Sequence, residues 1–398
     1  MTTYRLFLRF VLVVIFILLQ GCSGGSSSSG NPPPPPPPPT GPEFLYVGTN
    51  NSPATNPAEI AIFRVDPSTG ALGTPTVVPN TPVIGSVADP FGRALYTADG
   101  GTGDIHEYAI NGSTGALTEV SGSPFPVPSS PPLQNPTPQF GADPYTDKLG
   151  NFVYVNNCGF SRNSAGTLKP IPGGCFPGTG GIRTVAHPSG KFLIQTCDMP
   201  DNTLISNPIC VAAVNPSTGQ LLKDPNPLVI QLFEASDVVV HPSGNFVYMS
   251  GGTDIFPPTP RFQAIFALSF DTQTGLLNQI DGGAALPVQN QLSALAVTPN
   301  GKFLYAVDNT NIYVFAVTPA GALLPISGSP FPFVHGFQFF SRAFQVDNTG
   351  QFLYLAATDI NAVVGFKIDP DTGVFSPIPG SPFAIGATPS TMVVVRTP

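Results

Sequence analysis

The sequence predicts an all-β chain, a single seven-bladed β-propeller, on three observations. One strand phrase is written seven times: "EFLYVGTNN" at 43–51, "GRALYTADG" at 92–100, "GNFVYVNNC" at 150–158, "GKFLIQTCD" at 190–198, "GNFVYMSGG" at 244–252, "GKFLYAVDN" at 301–309 and "GQFLYLAAT" at 350–358. The copies recur every ~50 residues, the period of a four-stranded propeller blade. The two ends of the pattern are incomplete in complementary ways, so together they make one blade.

Each element follows from the residues around the phrase, which forms the second strand, B, counted outward from the channel. Before it lies an apolar run for the innermost strand, A: "IGSVADPFG", "IRTVAHPSG", "SDVVVHPSG", "LSALAVTPNG". After it comes strand C, as in "IAIFRVD", "IHEYAIN", "IFALSFD", "IYVFAVT" and "VVGFKID", then a turn and strand D, as in "PSTGAL", "TQTGLL" and "PDTGVF". In "DPSTG" and "DPDTG" Asp caps its own turn, Pro presets φ and Gly takes the left-handed position. The first copy has no A strand before it, and "STMVVVRTP" at the end has no B strand after it. Pairing the C-terminal strand with the N-terminal blade closes the ring and removes the open edges of a sheet. Blade 3 has only 12 residues between Tyr154 and Gly166, which predicts a short or distorted C strand.

The start of the chain reads differently. Residues 1–22 carry Arg5 and Arg9, an apolar run "FVLVVIFILL" and then "QGC", the order of a secretory signal. "LQGC", ending at Cys22, resembles the lipobox of bacterial lipoproteins. That likeness implies a lipidated Cys22, export, and anchoring in a bacterial cell envelope. Ser23 after it resembles lipoproteins of the outer membrane. Residues 23–42 are a linker, "SGGSSSSGNPPPPPPPPTGP", whose eight prolines favour a polyproline II spacer of roughly 25 Å. The propeller is expected over 43–398. A net charge of −8 with no basic stripe argues against a nucleic-acid partner. The chain is read as a monomer that meets a membrane through its lipid.

"HPSGKFL", "TPNGKFLYAV", "DPDTG" and three copies of "GSPF" resemble the lactonase-type seven-bladed propellers, the group of bacterial 6-phosphogluconolactonases and fungal muconate cyclases. The resemblance implies a lactone hydrolase acting on a small anionic or sugar lactone. It also implies an anion site in the blade holding "IRTVAHP", where the family has an Arg-His pair and this chain has Ile182 and Arg183. A non-catalytic cell-envelope propeller, binding or scaffolding an envelope protein, is the other reading.

Chain direction places the D–A connections and B–C loops on one face, where pockets form, and the A–B and C–D turns on the other. His335, in a D–A connection, and Asp237 are the candidate catalytic groups. Arg183 and Arg342 are candidate ligands for a carboxylate or phosphate, with Asp198 and Asp308 at strand B ends. Asp99, Asn156 and Asp359 lie at other B ends. His187 and His241, in "HPSG", read as turn residues on the opposite face, and His106 as a structural residue of a C strand. Cys158, Cys175, Cys197 and Cys210 allow three disulfide connectivities, of which Cys197–Cys210 with Cys158–Cys175 is preferred. A zinc site is the rival, but no C-x-x-C pair supports it, and no motif calls for a metal or cofactor.

Overall fold

In the computed structural model, the described residues run from 38 to 398, except 50–57, 82, 100–101, 129–142, 156–157, 164–165, 176–183, 197–208, 224–227, 229–232, 254–261, 281–285, 334 and 336–342. Seven antiparallel sheets, each built on four strands in the order A-B-C-D, make the seven blades, and no α-helix occurs among the described residues. The sheet of blade 1 closes the ring as the ends of the sequence predict. Strand B, Glu43–Thr49, pairs with strand C, Glu59–Arg64, on one side and with the C-terminal strand A, Pro389–Arg396, on the other.

The repeated phrase has a physical reason beyond strand propensity. Its tyrosine is buried, and in five blades the hydroxyl donates to the carbonyl of the glycine in the C–D turn of the next blade. Tyr46 reaches Gly115, Tyr154 reaches Gly219, Tyr248 reaches Gly321, Tyr305 reaches Gly373 and Tyr354 reaches Gly70, at 2.7–3.0 Å. The phenylalanine two residues earlier packs against the same glycine. A Cβ on Gly70 would stand 2.3 Å from a ring carbon of Phe352, and Gly70 also has φ +73°. The phrase and the "TG" turn are therefore two halves of one inter-blade joint.

"GSPF" is a second joint, internal to a blade. Gly122, Gly328 and Gly380 take positive φ in a tight turn closed by Ser123 N–H to Val120 O, Ser329 N–H to Ile326 O and Ser381 N–H to Ile378 O. The serine hydroxyl then accepts the strand C amide that the turn leaves without a carbonyl: Glu107 N–H to Ser123, Val314 N–H to Ser329, Gly365 N–H to Ser381. All three Ser–Pro peptides are cis. In blades 6 and 7 the chain rejoins strand C just after the proline, at Phe331–Pro332 and Phe383–Ala384.

Blade 3 departs from the pattern as its spacing predicts. Its C strand, Cys158–Arg162, is five residues long, and its pairing with Leu168–Cys175 shifts register after Cys158. The A strand beside it is only Tyr145–Thr146.

Candidate functional site

Strand B runs from the A–B turn face to the opposite face, so B–C loops and D–A connections share one end of the blades. On that end His335, from the D–A connection after blade 6, meets Asp359, from the B–C turn of blade 7. Nδ1 of His335 lies 3.6 Å from Oδ2 of Asp359. Phe333 stands edge-on to the imidazole at 5.8 Å between ring centres and fixes its plane. Both polar side chains are partly exposed, at 29% and 42%, so a solute can reach them. The turn that carries Asp359 is itself tied down. Asn361 takes φ +50°, its side-chain oxygen accepts from Thr388 Oγ1 at 3.0 Å, and its carbonyl accepts Ile385 N–H. The arrangement is a histidine whose Nδ1 stands at ion-pair distance from a carboxylate, a pairing from which a general base can be built.

The other expected residues fall differently. Asp308 lies at the rim but is fully buried, and both of its oxygens are occupied. Thr310 and Asn311 amides donate to Oδ1 at 2.6 Å each, and Tyr313 and Asn290 donate to Oδ2 at 3.0 and 3.1 Å. Burial alone would raise this carboxyl, but the bonds from Thr310, Tyr313, Asn290 and Asn311 together hold it below the usual carboxylate range. Its role is to set the B–C turn of blade 6 rather than to bind a ligand directly. Asp237 sits in strand A of blade 5, Phe233–Val240, and its oxygens accept Val238 N–H at 2.8 Å and, across the seam to blade 6, Leu295 N–H at 2.7 Å. It clips two inner strands together. Arg183, Arg342, Asp198, Asn156, Cys197 and Cys22 lie outside the described residues.

His187 and His241 lie in the A–B turns, on the face opposite His335, and each joins two blades. Nε2 of His187 donates to Gly244 O at 2.7 Å and Nε2 of His241 to Gly301 O at 3.0 Å, while each Nδ1 accepts the amide of the serine two residues on. Burial lowers the His187 pKa, with the Gly244 bond working against it. His106, read as structural, has more company than the sequence suggested: Glu119 at 2.8 Å on Nδ1 and Asp99 at 3.9 Å from Nε2. Strand alternation in "DIHEYAI" separates an outward His106 from a buried Glu107, but cross-strand partners are not visible in it.

The inner strands enclose a cavity of about 470 Å³, lined by Val, Ala and Leu side chains together with Tyr145, Asp237, Gln345 and, at the A–B end, Lys148 and His187. Cys158 and Cys210 are both disulfide-bonded, and Cys175 stands directly across the ladder from Cys158.

A family model described as Lactonase, 7-bladed beta-propeller, matches residues 261–389, the stretch that contains both His335 and Asp359. Among curated relatives, a 6-phosphogluconolactonase of Pectobacterium carotovorum is 26% identical over 155 residues, 37% of this chain and 42% of the relative. One of an Enterobacter species is 23% identical over 77% of this chain and 87% of the relative. The chain spans less than half the length of the first three curated relatives it matches, at 42%, 28% and 44%. Among solved structures, a periplasmic gluconolactonase of Pseudomonas aeruginosa superposes with a TM-score of 0.67 at 17% identity, covering 90% of this chain and all of the other. A candidate 6-phosphogluconolactonase of Bacteroides uniformis gives 0.67 at 21% identity, covering 89% and 100%. At these identities the structures speak to the fold.

Proposed function

We propose that this chain, a lactonase-type seven-bladed β-propeller, hydrolyses a lactone on the face that carries His335, as an exported, lipid-anchored protein of a bacterial cell envelope. The observation that carries the reading is the His335–Asp359 pair, held open to solvent on the loop face and inside the segment that matches the lactonase model. Asp359 orients the imidazole and stabilises its cation. His335 Nε2 takes a proton from water as the oxygen attacks the lactone carbonyl. The tetrahedral intermediate then collapses, the ring C–O bond breaks, and the imidazolium returns the proton to the departing alkoxide. Such a base contributes roughly 10²–10⁴-fold. Arg183 and Arg342 are the cations the sequence offers for a carboxylate or phosphate on the substrate.

Export and anchoring rest on the signal sequence, the "LQGC" of Cys22 and the proline tether. A gluconolactonase of the same fold is periplasmic, which is compatible with lactone chemistry outside the cytoplasm. The second reading, a non-catalytic envelope propeller, is favoured by one observation: Ile182 and Arg183 stand where the family has its Arg-His pair.

The test is hydrolysis of a panel of sugar lactones and acyl lactones by the propeller from residue 38 onward, beside His335→Ala, Arg183→Ala and Arg342→Ala. Turnover by the wild type that all three variants lose, with melting temperatures unchanged, is the expected result. No turnover across the panel would leave the binding propeller as the better account.

A further inference from the structure

The buried carboxylate of Asp308 is connected, bond by bond, to the histidine of the loop face. It joins three pieces of chain. Oδ1 takes the amides of Thr310 and Asn311 in the B–C turn of blade 6, and the Thr310 hydroxyl at 3.1 Å. Oδ2 takes the hydroxyl of Tyr313, in strand C, and the side-chain amide of Asn290, in the connection from blade 5. Tyr313 in turn accepts Gln289 N–H at 3.2 Å. The turn set in this way seats the segment that carries His335. Phe331 and Pro332 pair with Ile312 and Asn311, and Thr310 O then accepts Phe333 N–H at 2.7 Å. Phe333 is buried, and its ring meets the imidazole of His335 edge-on.

We infer that Asp308 is a positioning residue for His335: it fixes the turn that seats Phe333, and Phe333 fixes the imidazole. The catalytic consequence rests on the reading of His335 as the base. A carboxylate offers only acceptor sites, and each group named above donates to this one. An amide in its place would turn an NH₂ toward Tyr313 or Asn290, so that donor would face donor. The bonds are charge-assisted, about twice as strong as neutral ones. Asp308 is fully buried, so a lost bond leaves a buried polar group unpaired. The turn then relaxes, Thr310 O moves, and Phe333 carries the movement to His335. A catalytic group misplaced by about 1 Å loses about 100-fold in rate. The loss falls on kcat more than on KM, because a base acts in the transition state.

The test reads the ring and the rate separately, on the full chain labelled with ¹³C-histidine. The His335 ring signal is identified by its absence from His335→Gln. It is then followed in the wild type, Asp308→Asn, Tyr313→Phe and Asp66→Asn, beside kcat and KM for a hydrolysed sugar lactone. Tyr313→Phe keeps the charge of Asp308, so a displaced signal there reports position and not field. Asp66 caps the C–D turn of blade 1 with the same kind of bonds, to the Ser68 and Thr69 amides, and is the control on the opposite face. The expected result is a displaced signal in Asp308→Asn and Tyr313→Phe and an unmoved one in Asp66→Asn. In Asp308→Asn kcat is expected to fall about tenfold or more, with KM within about twofold. A signal that stays in place in whichever of Asp308→Asn and Tyr313→Phe folds, or that moves as far in Asp66→Asn, would overturn the positioning. A wild type without turnover, its signal still displaced by these substitutions, would overturn the hydrolysis and leave the positioning standing.

Discussion

Between blades 7 and 1, Tyr354 donates its hydroxyl to Gly70 O at 2.7 Å while Phe352 packs against the same glycine. Between blades 2 and 3, Tyr96 stands at the same ladder position and meets no such carbonyl among the described residues. Its hydroxyl lies 3.5 Å from Glu107, and Glu107 is held in turn by Arg162 of blade 3 at 2.9 Å. Both seams bury a polar group from strand B, but one satisfies it with a neutral backbone acceptor and the other with an ion pair. Glu107 is fully buried, and its Oε2 has no hydrogen-bond partner among the described residues. The pair is thus a device that holds only while both members remain, whereas the tyrosine joint degrades one bond at a time. At this seam the turn glycine of blade 3, Gly166, faces Arg162 and Glu107, and Ala94 stands where the other phrases carry phenylalanine.

The comparison can be broken most severely at Arg162. Arg162→Met leaves Glu107 buried without its cation and is expected to cost about 3–5 kcal/mol in chemical denaturation. Gly70→Ala attacks the regular seam. Positive φ and the contact with Phe352 together are expected to cost about 3 kcal/mol, visible as a lower melting temperature. Tyr354→Phe removes one hydroxyl and leaves a buried carbonyl, at about 1–2 kcal/mol. Tyr96→Phe, whose bond to Glu107 is long, should cost under about 0.5 kcal/mol, and a loss matching that of Tyr354→Phe would erase the distinction between the seams.

The smallest effect is one of pH. Burial, outweighing the bond and attraction from Arg162, raises the Glu107 carboxyl above its ordinary range. A carboxyl raised on folding makes the native state bind the proton more tightly than the unfolded chain. Its contribution is therefore most favourable at low pH and is lost as pH rises through the ordinary and then the raised value. Measured against Glu107→Gln, the wild type should gain relative stability on going from about pH 7 to about pH 4. A relative loss over that interval would show that Arg162 dominates instead.

Much of this fold was legible because a propeller repeats its physics. The phrase around Tyr305, the "TG" around Gly373 and the "GSPF" around Ser381 are each half of a contact, and a contact needed in most blades is spelled in most blades. The closure was legible because "STMVVVRTP" lacked a partner that "EFLYVG" could supply. The site was less so, because it is built once. His335 could be put on the loop face from chain direction, and so could Asp359, but the 3.6 Å between them joins two blades and leaves no periodic trace. Asp308 and Asp237 show the opposite failure. A carboxylate at a strand end has the same sequence signature whether it serves a ligand or a turn amide, and here it serves Asn311 N–H and Leu295 N–H. Glu107 in "DIHEYAI" gave no warning, since its partner Arg162 lies 55 residues away in the next blade.

Whether chemistry resides on the loop face at His335 is decided by comparing two histidines on opposite faces. kcat/KM for a hydrolysed sugar lactone would be measured for the wild type, His335→Ala and His241→Ala at a temperature where all three are folded. A loss of at least about 100-fold is expected for His335→Ala and little change for His241→Ala, whose ring bonds the Gly301 carbonyl and the Ser243 amide on the opposite face. Activity that survives His335→Ala, or that falls equally in both variants, would contradict it.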